Sequence, residues 1–168
     1  MSTSVIIGCP SAGRSWILNR WLDAVYNLDA SVDLKVLQVI PSWDEEAYNI
    51  LDKAGAEIVV TDEKPRDDIR DWSNENRLHQ MTHLRNILLS AVRFEHPDYF
   101  LSLDSDIILQ PDSLSYLLDT IENTDANAVG GLTYLDPDDI GCTNLAFWDD
   151  SGTWFRRIEN PGRHQVDI

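Results

Sequence analysis

The sequence predicts an α/β domain built around a mainly parallel central sheet. Short apolar runs at residues 4–8, 34–40 and 57–61 are rich in β-branched side chains, as strands are. Segments with helical spacing of apolar residues separate these runs, and a fourth run at residues 99–103 follows a longer helical segment. Strands that alternate with helices in this way are typical of parallel β/α units.

The first helix is predicted after the small-residue loop of residues 9–13, which follows the first strand. Several apolar residues in it recur at helical spacing, so we expect them to face the core. These residues are Trp16, Ile17, Trp21, Leu22 and Val25.

The second helix is predicted to begin at the acidic residues 44–46, because negative charge stabilises the amino terminus of a helix. Asp44 itself is interpreted as the helix cap. This helix should end near Gly55, just before the third strand.

Residues 62–77 are rich in charge, which predicts a surface loop, with a substrate lid as the alternative. The helix predicted at residues 78–95 has an apolar arc, and Arg85 falls inside this arc on a helical wheel. A core-facing guanidinium needs an anionic partner, so Arg85 would bind a nearby aspartate or the substrate, or form a structural salt bridge. The arc consists of Leu78, Met81, Leu84, Leu88, Leu89 and Val92.

The last third of the chain is predicted to contain a helix, a strand and a hairpin. The helix should run from Pro111 to about Ile121, and the strand should cover residues 128–134. Residues 144–148 and 153–158 flank a segment with turn chemistry, which indicates a late antiparallel hairpin.

Length and composition limit the possible functions. A chain of 168 residues with 43% hydrophobic composition is expected to form one domain. Its net charge of -16 and scattered basic residues argue against nucleic-acid binding. No run is long enough for a membrane span, and no targeting signal is expected. Cys9 and Cys142 form neither a zinc-ligand spacing nor a disulfide framework, which fits the cytoplasm.

Asp104 and Asp106 are the strongest candidates for a functional site. They directly follow the fourth predicted strand, and ligands of open α/β sheets bind beyond the carboxyl ends of strands. Carboxylates two residues apart can project to the same side, where a divalent cation would relieve their repulsion. Oxygen ligands suit Mn²⁺ or Mg²⁺, and such a cation would stabilise negative charge on a diphosphate leaving group.

The run LSLDSDIIL, after three β/α units and the pair Arg85 and Asn86 in HLRN, resembles the GT-A glycosyltransferases, especially family-2-like and mannan-polymerase-like members. This resemblance implies a Rossmann-like three-layer sandwich. Asp104, Ser105 and Asp106 match the family's motif for metal and nucleotide-sugar binding. The implied activity is that of a hexosyltransferase, which moves a sugar from a UDP- or GDP-sugar to a hydroxyl acceptor on a glycan, lipid or protein.

The resemblance also implies roles for the loops of the first two strands. Gly8, Cys9 and Pro10 would border the nucleoside, with turn geometry as the alternative for Gly8 and Pro10. Asp44 would approach the base, with the helix cap as the alternative.

The resemblance covers the chain as one glycosyltransferase domain, with the nucleotide-sugar-binding half in residues 1–109 and the start of the acceptor half in residues 110–168. The ending HQVDI is similar to the segment that precedes a glycine-rich acceptor-site stretch in mannan-polymerase-like members. Asp167 would then be the general base, and His164 would be a third metal ligand, as a late histidine is in some members. The sequence stops before that glycine-rich stretch.

Three alternatives remain open at this point. A truncated, non-catalytic nucleotide-sugar binding module would keep the metal site without turnover. A sugar nucleotidylyltransferase would need a glycine-rich, basic first loop, at which Gly13 and Arg14 only hint. A phosphatase of the haloacid dehalogenase class also has Asp-x-Asp after an apolar strand, but close to the amino terminus.

Overall fold

The computed structural model describes residues 2–62, 75–131, 134–136 and 139–143. The chain divides into two compact units, Met1–Tyr116 and Leu117–Ile168. The assignment of the whole chain to one glycosyltransferase domain stays a prediction.

The first unit contains a four-stranded, all-parallel sheet with helices between its strands, which confirms the predicted α/β class. The strand order is β3-β2-β1-β4, so β1 and β2 are the central strands. The strands are β1 (Thr3–Pro10), β2 (Val32–Pro41), β3 (Glu57–Thr61) and β4 (Tyr99–Ser102). The helices of this unit are α1 (Ser15–Tyr26), α2 (Glu45–Lys53) and α3 (Glu75–Glu95), and α4 (Ser113–Glu122) begins in the first unit and ends in the second.

Both faces of the sheet are covered by apolar packing. Alternate side chains of β1 and β2 pack against α3, in a cluster made of Ile6, Leu37, Val39, Leu88 and Val92. The intervening side chains, such as Ile7 and Ile40, are buried as well. Crossovers between parallel strands are almost always right-handed. The chain passes from β1 to β2 and β3 in one direction and then returns past β1 to β4 in the opposite direction. The helices α1 and α2 therefore belong on the face of the sheet opposite α3.

The buried stripe of α1 differs from the predicted one. Leu18, Trp21, Leu22 and Val25 are buried, whereas Trp16 is 76% exposed. At 3.6 residues per turn, Trp16 lies about 160° around the helix from Leu18, on the solvent side. The prediction of Trp16 as a core residue was therefore wrong, and Leu18 takes its place.

The apolar arc of α3 is also rotated relative to the prediction. Ile87 and Ala91 pack against the core cluster, and this moves the centre of the arc away from Arg85 and Leu89. Both of these side chains are exposed, so the expectation of a core-facing Arg85 was wrong. The helix is already present at Glu75, three residues before the predicted start, and residues 63–74 of the predicted loop lie outside the described residues.

The later elements agree only in part. Residues 128–131 have no regular secondary structure, so most of the strand predicted at 128–134 was wrong, and Gly130 with Gly131 explains the weak strand preference. In the second unit, β5 (Tyr134–Asp136) and β6 (Asp139–Thr143) form an antiparallel pair. The hairpin predicted at residues 144–158 lies outside the described residues. In the described part of the chain, no helix combines the length and apolar character needed to cross a membrane.

Candidate functional site

The strand order creates a crevice between the carboxyl ends of β1 and β4. From β1 the chain proceeds to β2 and β3 on one side, whereas β4 pairs with β1 on the other side. The carboxyl ends of β1 and β4 therefore lie side by side where the strand order changes direction, and such switch points are where open α/β sheets bind ligands. The backbone N–H of Leu103 donates to the carbonyl of Gly8 at 3.2 Å, which holds the end of β4 against β1.

Asp104 and Asp106 lie at this crevice with their side chains accessible. The Asp104 side chain is 52% exposed and that of Asp106 is 46% exposed, whereas Ser105 between them is buried. The backbone N–H of Ile107 donates to the carbonyl of Asp104 at 3.0 Å and closes a turn. Both carboxylates are therefore open to a ligand, while Ser105 anchors the segment.

Each aspartate is paired with an arginine from a different element. Asp106 forms an ion pair with Arg14, which follows β1. The Asp104 Oδ1 atom lies 3.6 Å from Nη2 of Arg85 in α3, which is an ion pair without a good hydrogen bond. Arg85 thus has an aspartate partner at the crevice, although its side chain is half exposed. Exposed ion pairs of this kind typically contribute only about 0–1 kcal/mol, so another ligand can displace them at little cost.

Asp44 ties the loop after β1 to the start of α2. Its side chain accepts a hydrogen bond from the backbone N–H of Ala47, which confirms the predicted cap. Its other oxygen accepts from the backbone N–H of Gly13 at 2.7 Å. Gly13 has a φ of 62°, a conformation that glycine adopts without steric cost. Contact of Asp44 with a nucleobase stays a prediction.

Gly8 has a packing role that the sequence did not indicate. It lies inside β1 rather than in a turn, so turn geometry is the wrong explanation for this glycine. A Cβ atom at this position would come closer than 3.0 Å to the carbonyl oxygen of Leu37, and 3.3 Å from Cδ1 of Leu88. Pro10 is the last residue of β1, and its contact with a nucleoside stays a prediction, as does that of Gly8.

Cys9 is buried beneath the crevice, and its thiol donates to Oε1 of Gln38 at 3.4 Å. Burial raises the pKa of the Cys9 thiol from 9.0 to about 12, and the negative charge of Asp104 adds a smaller effect in the same direction. The thiolate is the nucleophilic form of cysteine, so Cys9 is suited to packing and unsuited to chemistry.

We expect Cys9 to resist alkylation by iodoacetamide at pH 8 in the native protein and to react after denaturation in urea. Mass spectrometry of the tryptic peptide containing Cys9 measures this, since Cys142 falls in a different peptide. Because the pKa of Cys9 is higher in the folded than in the unfolded protein, the protonated thiol stabilises the folded state. This contribution to the free energy of unfolding is complete below about pH 9 and is lost as the pH rises toward about 12. Rapid native alkylation would contradict this assignment.

The two aspartates fit a divalent cation that also binds a substrate phosphate. Within the described residues, no group of three or more His, Cys, Asp or Glu side chains is arranged to hold a metal ion. Mg²⁺ commonly takes one or two carboxylates and completes its shell with phosphate oxygens and water. Asp104 and Asp106 supply that number, and both are accessible. His164 and Asp167 lie outside the described residues, so their roles as metal ligand and general base stay predictions.

Arg14 is the site residue that sequence reasoning missed. The signal for it was a basic side chain directly after Gly13, in a chain with 13 basic and 29 acidic residues. The pairing of β1 with β4 brings Arg14 to Asp106, and nothing in the local sequence reveals this pairing.

Comparison with known proteins adds no family assignment. No protein-family model matches the chain, and no curated protein matches it.

Proposed function

We propose that this protein is a metal-dependent GT-A glycosyltransferase that moves a sugar from a nucleoside diphosphate sugar to a hydroxyl acceptor. The observation that supports the proposal best is the position of Asp104 and Asp106, two accessible carboxylates at the switch point between β1 and β4. A metal that polarises a diphosphate belongs at such a position in an α/β sheet. The proposed setting is the cytoplasm, where Cys9 remains a free thiol.

Each residue of the site has a distinct part in this proposal. Asp104 and Asp106 are the residues that would hold Mn²⁺ or Mg²⁺, and the cation would supply electrophilic stabilisation of the diphosphate leaving group. Ser105 is buried and fixes the backbone between the two exposed carboxylates. Asp44 fixes the loop after β1 through its hydrogen bond from Gly13, next to Arg14, which pairs with Asp106.

The direct test is thermal stabilisation and calorimetry of the chain with UDP and with GDP, each in the presence and absence of Mn²⁺. A ligand that binds the native state at about 100 times its Kd stabilises the fold by about 2.7 kcal/mol, which is a measurable shift in melting temperature. We expect one of the two nucleotides to stabilise the protein only when Mn²⁺ is present. No stabilisation and no heat with either nucleotide would refute the proposal.

A second measurement separates transfer from binding alone. A panel of nucleoside diphosphate sugars is incubated with the chain, Mn²⁺ and a mixture of hydroxyl acceptors, and released nucleotide is quantified. The glycosyltransferase releases nucleotide from its donor at a rate that depends on Mn²⁺. Binding of a nucleoside diphosphate sugar without release of the nucleotide would indicate a nucleotide-sugar binding module rather than an enzyme. Stabilisation by orthophosphate mimics with Mg²⁺, without nucleotide preference, would favour the phosphatase.

A further inference from the structure

Arg14 and a divalent cation compete for the same carboxylate. Arg14 contacts Oδ2 of Asp106, one of the two accessible aspartates of the crevice. A cation bound to Asp106 is repelled by the guanidinium beside it, and this repulsion is strongest when both occupy one carboxylate. Metal binding therefore favours release of Arg14 from Asp106.

We infer that Arg14 is a diphosphate-binding residue that pairs with Asp106 until the metal displaces it, and then binds the phosphate oxygens of the donor. This inference rests on the function proposed above. Arginine suits the exchange because its planar fork of N–H donors matches carboxylate and phosphate alike.

The guanidinium of Arg14, rather than the helix end beside it, is the group that can bind an anion. Arg14 is the residue before the first turn of α1, and its side chain does not cap the helix. Carboxylates already lie at this end of α1, because Asp44 accepts a hydrogen bond from the backbone N–H of Gly13. Glu46 likewise accepts a hydrogen bond from Oγ of Ser15. The Arg14 side chain is 39% exposed, so its guanidinium can reach a ligand in the crevice.

The ion pair also explains how so acidic a protein can accept an anionic donor. Before metal binding, Arg14 and Asp106 neutralise each other, so neither attracts a ligand strongly. With a cation held at Asp106, the cation and the released guanidinium would be two positive groups close to the carboxyl ends of β1 and β4. Metal binding thus creates two anion-binding groups at once, and the donor should bind tightly only after the metal or together with it.

The substitution Arg14→Gln tests this exchange because it should change two affinities in opposite directions. Affinity for Mn²⁺ alone, measured from the paramagnetic resonance signal of free Mn²⁺, should rise about threefold, since an exposed competing ion pair is removed. Affinity for the preferred nucleoside diphosphate, UDP or GDP, measured by calorimetry in saturating Mn²⁺, should fall about tenfold, since charge-assisted hydrogen bonds are lost. A merely structural role would not produce opposite changes.

Two further variants complete the experiment. Arg20→Gln removes the same charge from an exposed position on α1 and should change neither affinity. Arg14→Lys keeps the charge without the fork and should recover wild-type Mn²⁺ affinity and part of the nucleotide affinity.

The outcomes separate the inference from the proposed function. Parallel changes in both affinities, or no change in either, overturn the role of Arg14 while Mn²⁺-dependent binding by the wild type sustains the proposed function. A wild-type chain that binds neither Mn²⁺ nor nucleotide overturns both.

Discussion

The double substitution Asp104→Asn and Asp106→Asn should lower the affinity for the Mn²⁺–nucleotide complex by at least about 100-fold, which corresponds to about 2.8 kcal/mol. The amide side chains have nearly the same shape as the carboxylates but carry no charge, and they are weaker ligands for hard cations. Both native side chains are accessible and lie after the end of β4, outside the regular strand, so the fold should tolerate the change. Calorimetry with Mn²⁺ and UDP or GDP measures the loss.

The double variant also changes the character of any binding that remains. Arg14 and Arg85 lose their carboxylate partners, and the formal charge of the crevice rises by two. Residual nucleotide binding should therefore be independent of Mn²⁺ and should weaken with added salt, as expected for screened attraction between exposed charges. This result would show that the cation acts through the aspartates.

A matched control removes two carboxylates elsewhere. Asp33 is exposed near the amino end of β2, and Asp52 is exposed near the end of α2, both remote from the carboxyl ends of the strands. Asp33→Asn with Asp52→Asn makes the same change in net charge and should leave Mn²⁺-dependent binding intact. Equal losses in both double variants would mean that overall charge, rather than a site at Asp104 and Asp106, controls binding.

Local sequence patterns were sufficient to predict the parallel sheet and the order in which its strands and helices follow one another along the chain. The run at Glu57–Thr61 was located without error, because β-branched side chains and the preceding Gly55 define both ends. The Asp44 cap was equally predictable, since an acidic residue three positions before a buried Ala47 has the typical pattern of a helix start. Such features depend on residues that are near one another in sequence.

Features that depend on strand neighbours could not be predicted in the same way. The pairing of β4 with β1 determines that Arg14 meets Asp106, yet these residues are 92 positions apart (106 − 14 = 92). Arg85 shows a different difficulty. Ile87 and Ala91 widen the apolar surface of α3, and a helical wheel does not show which side of this wide surface is buried in the folded protein. Trp16 was wrongly predicted to be buried, because an apolar side chain near the start of a helix can match the spacing of the buried residues and still lie on the exposed face.

The substitution Gly8→Ala should destabilise the fold by about 3 kcal/mol or more, at or above the upper end of the usual cost of overpacking. The added Cβ would lie too close to the carbonyl oxygen of Leu37, and this backbone atom cannot move freely because β1 and β2 pair along their whole length there. We expect a fall in melting temperature of about 10 °C, and a lower urea midpoint with an unchanged slope.

Two comparisons identify the carbonyl of Leu37 as the cause of this destabilisation. Gly130→Ala introduces the same methyl group where no atom of the described residues lies within 4 Å, and it should leave the melting temperature nearly unchanged. Adding Leu88→Val to Gly8→Ala relieves only the contact at 3.3 Å with Cδ1 of Leu88, so it should not rescue stability.

Because Gly8 also accepts the hydrogen bond from Leu103, a displaced β1 would shift the segment that holds Asp104 and Asp106. Gly8→Ala should therefore weaken Mn²⁺-dependent nucleotide binding even at temperatures where the protein is folded, and unaltered binding with a lowered melting temperature would show that the site and the strand pairing are independent.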